Sequence, residues 1–278
     1  MRRNWRNLRL LAGAAVIVLT VLVAVSAPFI APYGPLDQAP ELNNHPPMWR
    51  SDSGDLHILG TDPLGRDLLS RTMYGARVSL LIGATAVLLA GTIGVILGLL
   101  AGFVGGAVET IIMRLVDTLL AIPFVLLAIV SVSLFGQDLL GLILILGFTG
   151  WLGYARIVRA VVLSLKEMPY VEAARALGAN PPRLLLRHVL PGIWTPVIVV
   201  ATQQVGTMMI AESSLTFLGI GIPPTIPSWG AMVADGRAYV TLAPWVAVFP
   251  GLALTITVLA VYFFGDGLRD FLDPRMRL

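Results

Sequence analysis

Apolar runs of membrane length, separated by short polar stretches, dominate the chain. A bilayer-spanning helix needs roughly 20 mostly apolar residues. Six segments meet or approach that length: Leu10–Ile30, Val78–Val104, Thr118–Leu134, Leu139–Ala155, Ile193–Leu218 and Leu242–Phe264. The third and fourth are the shortest and share a tight connection at Gly136-Gln137-Asp138. This pattern predicts an all-α integral membrane protein with six transmembrane helices. Polar sequence interrupts it at length twice, over residues 32–77 and again at about 158–191. The expected organisation is a tail with the first helix (1–31), a polar segment (32–77) and a five-helix core (78–278) that carries the second polar loop.

Composition supports this solvent assignment. The chain is 56% hydrophobic and 13% charged, whereas soluble domains carry about 25% charged residues. It contains no cysteine, which excludes disulfides, thiolate metal sites and cysteine nucleophiles. The net charge is +3, but the basic residues flank apolar runs, a pattern that reports membrane orientation and not nucleic-acid binding. With the N-terminus inside, only Arg50, Arg66, Arg71, Arg77 and Arg237 of the 19 Lys and Arg residues fall outside. Asp37, Glu41, Asp52, Asp55, Asp62 and Asp67 accompany them in the outer segment. Both termini and the 158–191 loop are therefore expected to be cytoplasmic, and 32–77 extracytoplasmic. The first run follows Arg2, Arg3, Arg6 and Arg9, as a signal peptide would. It is longer than a typical signal core, and Pro28 directly follows the only small-residue cleavage candidate, Val25-Ser26-Ala27. An uncleaved anchor is expected.

Within the runs, small and polar residues carry the information. Gly94, Gly98 and Gly102 recur every fourth residue, a smooth strip that lets another backbone approach closely. Pro123, Pro196 and Pro250 each remove a helical hydrogen bond and favour kinks, which serve either a moving pathway or ordinary packing. Gln203, Gln204 and Glu212 lie in the fifth run. A carboxylate at a span centre costs roughly 2.5–3.5 kcal/mol to insert, so Glu212 should face protein or water. All three are candidates for a pathway or gate, with a buried packing bond the competing reading for Glu212. Arg114 and Asp117, three apart at the start of the third run, are expected to pair.

The loop "EAARALGANPPRLLLRHVLPG", residues 172–192, has helix punctuation of its own. Pro169 suits a helix start, since its missing N–H is not needed there. Residues 170–177 favour helix, and Gly178 suits the left-handed position that ends one. Asn180-Pro181-Pro182 forces a turn and restarts a helix over Arg183–Leu190, which Pro191-Gly192 should end. Tyr170, Ala173, Ala174 and Leu177 share one face of the first helix. Two short helices like these are marginal in water by themselves, so they lie either against a partner protein or along the membrane surface.

Glu172-Ala173-Ala174, Gly178 and Val189-Leu190-Pro191 resemble the EAA signature of permease subunits in bacterial ABC importers, with Val189-Leu190-Pro191 in place of the more usual Ile-Leu-Pro ending. "HILGTDPLGRDLLSRTMYGARVSL" (57–80), "ESSLTFLGIGIPPTIPSWG" (212–230) and "FPGLALTITVLAVYFFGDGLRDFLDPR" (249–275) are similar to dipeptide/oligopeptide/nickel permeases, of the C-type subunit. The resemblance spans nearly the whole chain. It implies a type I ABC importer permease-like bundle in the bacterial inner membrane. It also implies a homologous B-type permease as heterodimer partner, two ATP-binding subunits that hold ATP and Mg, and an extracytoplasmic solute-binding protein. Glu172, Ala173, Ala174, Leu177, Gly178 and Pro191 would couple ATPase closure to alternating access. The matched outer stretch contains Asp62, Gly65, Arg66 and Asp67, which would form an outer gate or dock, or scaffold. Physically, Asp62-Pro63 makes a sound cap-then-proline helix start, and Gly219 to Pro224 makes a stiff turn.

The chain itself is expected to use no cofactor and catalyse no reaction. Lys166 stands in Leu165-Lys166-Glu167 and not in a Walker A loop. His45, His57 and His188 are spaced wrongly for a zinc-protease motif, and His188 beside Arg187 is a surface or capping residue. The alternative is a self-contained secondary transporter driven by an ion gradient. That class shows repeated halves and intramembrane carboxylates; here the halves share no similarity and Glu212 stands alone.

Overall fold

A computed structural model describes residues 2–50 and 54–272. Asp52, Arg275 and Arg277, used above for orientation, lie outside the described residues. The described residues form ten α-helices: α1 (Arg2–Ile30), α2 (Leu68–Val104), α3 (Gly106–Leu120), α4 (Phe124–Phe135), α5 (Leu139–Leu165), α6 (Pro169–Ala176), α7 (Pro181–Leu184), α8 (Leu190–Phe217), α9 (Trp229–Gly236) and α10 (Trp245–Leu272). A two-residue hairpin pairs β1 (Trp49–Arg50) with β2 (Leu56–His57). Among the described residues five helical segments are long and apolar enough to cross a membrane, and a sixth crossing results if α3 and α4 count together.

Glycine contacts fix the helix directions. Along α2, Gly94 meets Trp151, Tyr154 and Ala155, Gly98 meets Ala155 and Val158, and Gly102 meets Arg159 and Val162. The strip expected from the sequence therefore seats α5, and the two helices run parallel. α8 runs antiparallel to α5, with Gly150 over Met208 and Gly192 over Leu165. α10 returns along α8, with Gly206 against Val258 and Tyr262. α1 lies antiparallel on α10, with Gly13 against Ala260 and Phe264, and Gly267 against Leu10. The bundle thus has two ends. A loop end gathers the start of α1, the end of α10 and residues 166–190. A cap end gathers residues 32–67 and 218–244. Lipid is as apolar as leucine, so close packing holds such helices together. The core around Ile82, Leu146, Tyr154, Met208 and Leu215 supplies it.

Several expected boundaries move. α2 begins at Leu68 and not Val78, and its 37 residues make it about 55 Å long, more than the hydrocarbon core needs. Its cap is Asp67, whose carboxylate accepts from the Ser70 amide at 2.8 Å; Asp62-Pro63 instead forms a turn. Thr118–Leu134 is not one straight span: α3 and α4 meet at 90°. Pro123 caps α4, and its ring and missing N–H forbid a continuous helix. α5 runs ten residues past Ala155, because Val158 and Val162 continue the ridge facing the α2 glycines. Arg114 and Asp117 do not form the expected pair. Asp117 binds Arg156 of α5, and Glu109 binds Arg159 one turn on. Pro191-Gly192 does not end a helix: α7 passes through a π-turn (Leu185–Val189) into α8, and the Leu190 amide bonds to the Leu185 carbonyl five residues back. A π-turn beside a proline absorbs the lost backbone bond.

Candidate functional site

At the loop end, α6 is built as its sequence reads. Pro169 opens it, and its last turn closes in a Schellman motif. Gly178 adopts φ 82°, its amide bonds to the Arg175 carbonyl, and the Ala179 amide bonds to the Ala174 carbonyl, both at 3.0 Å. Asn180 then caps α7 by accepting from the Arg183 amide at 3.1 Å. Val171 is fully buried and pins α6 to the chain, while the Tyr170 hydroxyl donates to the His188 carbonyl at 3.4 Å. The opposite side is bare. Leu177 is 89% exposed and Tyr170 48%. Glu172 and Ala173 are exposed beside them, and Ala174 is half-buried. An eight-residue helix thus offers an apolar ridge with acidic and basic flanks, on a mount continuous with α8. Pro191 sits in the first turn of α8, where it stiffens that mount.

The three polar residues of α8 do not converge. Gln203 donates from Nε2 to Asp266 of α10 at 2.8 Å. It borders a cavity of about 360 Å³ with Thr195, Val199 and Arg269. Gln204 lies over Gly150 of α5. Glu212 is fully buried towards the cap end. It accepts from Ser228 at 2.8 Å, Thr216 at 3.1 Å and Ser213 at 3.3 Å. Ser228 in turn caps α9 by accepting from the Ala231 amide at 3.1 Å. Within this subunit Glu212 is thus a hydrogen-bonded anchor for α9, with no exposed surface.

The cap end is a charged clasp. Asp62 accepts at one oxygen from the amides of Leu64 and Arg66, and at the other from Arg66 Nε at 2.6 Å. Arg71 of α2 approaches the same oxygen at 3.5 Å. Asp235 of α9 faces Arg66 and Arg71 at 3.6 and 3.5 Å. Burial pushes the Asp235 carboxyl above the usual carboxylate range, against the opposing pull of Arg71 and Arg66. Two tryptophans complete the seam: Trp229 Nε1 donates to the Thr72 carbonyl at 2.9 Å and Trp245 Nε1 to the Thr61 carbonyl at 3.2 Å. Gly65, at φ 69°, lies so close to the Ala39 carbonyl that a side chain there would strike it. Asp62, Arg66 and Asp67 are buried, so in this chain they hold the segment to α2 and α9.

Sequence reasoning singled out neither Arg71, Asp235 nor Ser228. Their partners lie up to 169 positions away, beyond any local pattern; the cost of an arginine beside an apolar run is the one local signal that could have found Arg71.

Comparison with known proteins agrees with this architecture. Residues 94–278 match the family described as binding-protein-dependent transport system inner membrane component, and residues 1–47 match the N-terminal TM domain of oligopeptide transport permease C. The chain is 45% identical to the dipeptide transport system permease protein DppC of Escherichia coli K12, over 98% of this chain and 91% of that protein. It is 41% identical to the di/tripeptide transport system permease protein DppC of Pseudomonas aeruginosa, over 96% and 88%. It is 43% identical to the glutathione transport system permease protein GsiD of Shigella flexneri, over 98% and 90%. The chain belongs to the binding-protein-dependent transport system inner membrane components, the permease subunits of ABC importers.

Proposed function

We propose that this permease carries di- or oligopeptides, or compact peptide-like solutes such as glutathione, and that α6 is its ATPase contact. The observation that carries the coupling role is the bare ridge of Tyr170, Ala173 and Leu177 on α6, joined by the Gly178 turn to α7, which runs on into α8. The names of the relatives support the solute class.

In this mechanism a B-type permease completes the pathway, two ATP-binding subunits hold ATP and Mg, and a solute-binding protein delivers cargo to the cap end. The loop end faces the cytoplasm, in keeping with the basic residues gathered there. ATPase closure moves α6, the π-turn transmits the movement to α8, and the loop-end Gln203 and Gln204 line the route for solute. A ligand shifts a conformational equilibrium only through differential affinity, so the closed ATPase pair must bind the α6 geometry more tightly than the open pair. Glu212 and the Asp62–Arg66 clasp hold the cap end together during the movement.

Gly178→Asp tests the coupling role. It places a charged L-residue at φ 82° and should abolish ATP-driven uptake while the permease inserts and pairs normally. Full uptake with full ATPase content would overturn it. Cysteines introduced at positions 55 and 180 test orientation: the first should label from outside and the second only from inside.

A further inference from the structure

In the loop-end half of the bundle, α3 and α5 border a recess of about 490 Å³, within the range of small-molecule sites. Glu109, Thr110, Met113 and Asp117 line it from α3, Arg156 and Arg159 from α5. Its charged groups are two carboxylates and two guanidinium groups, so the recess is neutral overall but divided in sign. The Asp117 and Arg156 side chains are 63% and 52% exposed, and Thr110 is exposed at the rim.

The two ion pairs leave bonding capacity over. A guanidinium carries five N–H donors, and Arg156 gives one of them, from Nη2, to Asp117 Oδ1. Arg159 directs both Nε and Nη2 at the single oxygen Oε1 of Glu109. Among the described residues, Asp117 Oδ2 and Glu109 Oε2 accept no hydrogen bond. A simple anion or cation would meet repulsion as well as attraction here. A ligand with opposite charges at its two ends meets attraction at both. Its carboxylate fits the open edge of Arg156 as a two-pronged acceptor, and its ammonium donates to the two free carboxylate oxygens.

The surface above the recess points to a solute and not to lipid. On α5, Gly153, Arg156 and Ala160 are exposed and Thr149 is half-buried, forming a bare stripe. A side chain at Gly153 would meet nothing within 4 Å. On one flank, Leu152 and Ala155 pack with Val116 of α3; on the other, Gly150 packs on Met208 of α8, with Gln204 Nε2 3.8 Å from where its Cβ would stand. The Gly150–Met208 and Leu165–Gly192 contacts set Arg156 level with Thr202, beside Gln203 and Gln204. Acyl chains offer nothing to such small and charged groups, which in a membrane protein face a protein or water-filled space.

We infer that the recess between α3 and α5 is a station on the solute route that holds a zwitterionic peptide by its termini. Arg156 receives the carboxylate, and Asp117 and Glu109 receive the α-ammonium. This inference rests on the proposed peptide cargo.

The chain has no cysteine, so Thr110→Cys gives a single reporter at the rim. The permease with its membrane partners, in nanodiscs and without ATP or solute-binding protein, is treated with a fluorescent maleimide, and the label on this chain is read on a gel. L-Alanyl-L-alanine should slow labelling saturably. Its C-terminal amide and its N-acetyl derivative should each need about tenfold or more higher concentration for the same effect. Arg156→Gln should abolish the preference for the free carboxylate, and Asp117→Asn should weaken that for the free ammonium; a pair that only braced the helices would change neither. Labelling of Asp37→Cys, exposed on the outer segment, should be indifferent to the dipeptide. A Thr110→Cys chain that does not label, equal protection by all three compounds, or protection by phosphoethanolamine but not by the dipeptide would overturn the inference. ATP-driven uptake of the same dipeptide by the full assembly in liposomes is measured in parallel. Uptake without protection sinks the station alone, whereas protection without uptake sinks the peptide cargo and the station with it.

Discussion

Replacing Gly98 by alanine puts the α2–α5 contact to a quantitative test. A methyl at Gly98 would stand 2.7 Å from the Val158 Cβ and 2.8 Å from the Ala155 carbonyl oxygen. Carbon atoms rest at about 3.5–4.0 Å, so the two helices must separate by roughly 0.8 Å or more. Neither obstacle is the end of a flexible side chain. Overpacking of this kind costs about 1–3 kcal/mol, and alanine's better helix propensity returns about 1 kcal/mol. Because the obstacles are a Cβ and a backbone oxygen, the cost lies at about 2–3 kcal/mol and the net loss is about 1–2 kcal/mol, or roughly 2–8 °C in apparent Tm for a chain of this size. Gly91→Ala is the matched control. It lies two turns earlier on the same helix, where a methyl would meet only Tyr154 ring atoms at 3.8 Å, and it should hold stability level or raise it by up to about 1 kcal/mol. The assay is the fraction of purified chain that stays monodisperse in detergent after heating. Gly98→Ala as stable as the parent, or Gly91→Ala equally damaging, would refute the close-contact strip.

Other expectations follow from the same contacts. Glu212→Ala removes the acceptor for three hydroxyls and should lower stability by about 3 kcal/mol or more. Transport would then fail together with the fold, and a stable but transport-dead Glu212→Gln would instead favour a pathway role. Asp62→Asn leaves Arg66 and Arg71 with only Asp235, at 3.6 and 3.5 Å, and should cost about 3–5 kcal/mol, read as a lower Tm and faster proteolysis of residues 32–67. Asp117→Asn, at a pair more than half exposed on both sides, should change stability by less than about 1 kcal/mol. A larger loss would show that the α3–α5 ion pairs hold the bent helices together.

The fold was legible wherever a single local pattern sufficed. The apolar runs gave α1, α2, α8 and α10, and the glycines at 94, 98 and 102 marked a contact face before its partner was known. The Pro169 to Gly178 punctuation marked α6 to within a residue. Features that depend on distant partners did not show. Asp62 read as a helix cap, and tertiary pairing overrules it: Asp62 is drawn to Arg66 and Arg71, and Asp67 caps α2. Arg156 and Arg159 read as the polar end of a span, yet Asp117 and Glu109 pair with them and let α5 continue. A proline marks where a helix yields but not by how much, so the 90° break at Pro123 looked like a kink. Glu212 was ambiguous for the same reason, since its principal donor, Ser228, lies on another helix.

The central claim, that α6 delivers ATPase movement to a permease of this family, is tested most directly by capture. The tagged chain is purified from its native membrane in mild detergent and its partners identified by mass spectrometry, beside the Gly178→Asp variant. The account predicts a second permease and ATP-binding chains with the parent, and a complex from Gly178→Asp that retains the second permease but has lost its ATP-binding chains or their coupling to uptake. Recovery of the parent chain alone, moving solute in liposomes without ATP, would contradict it.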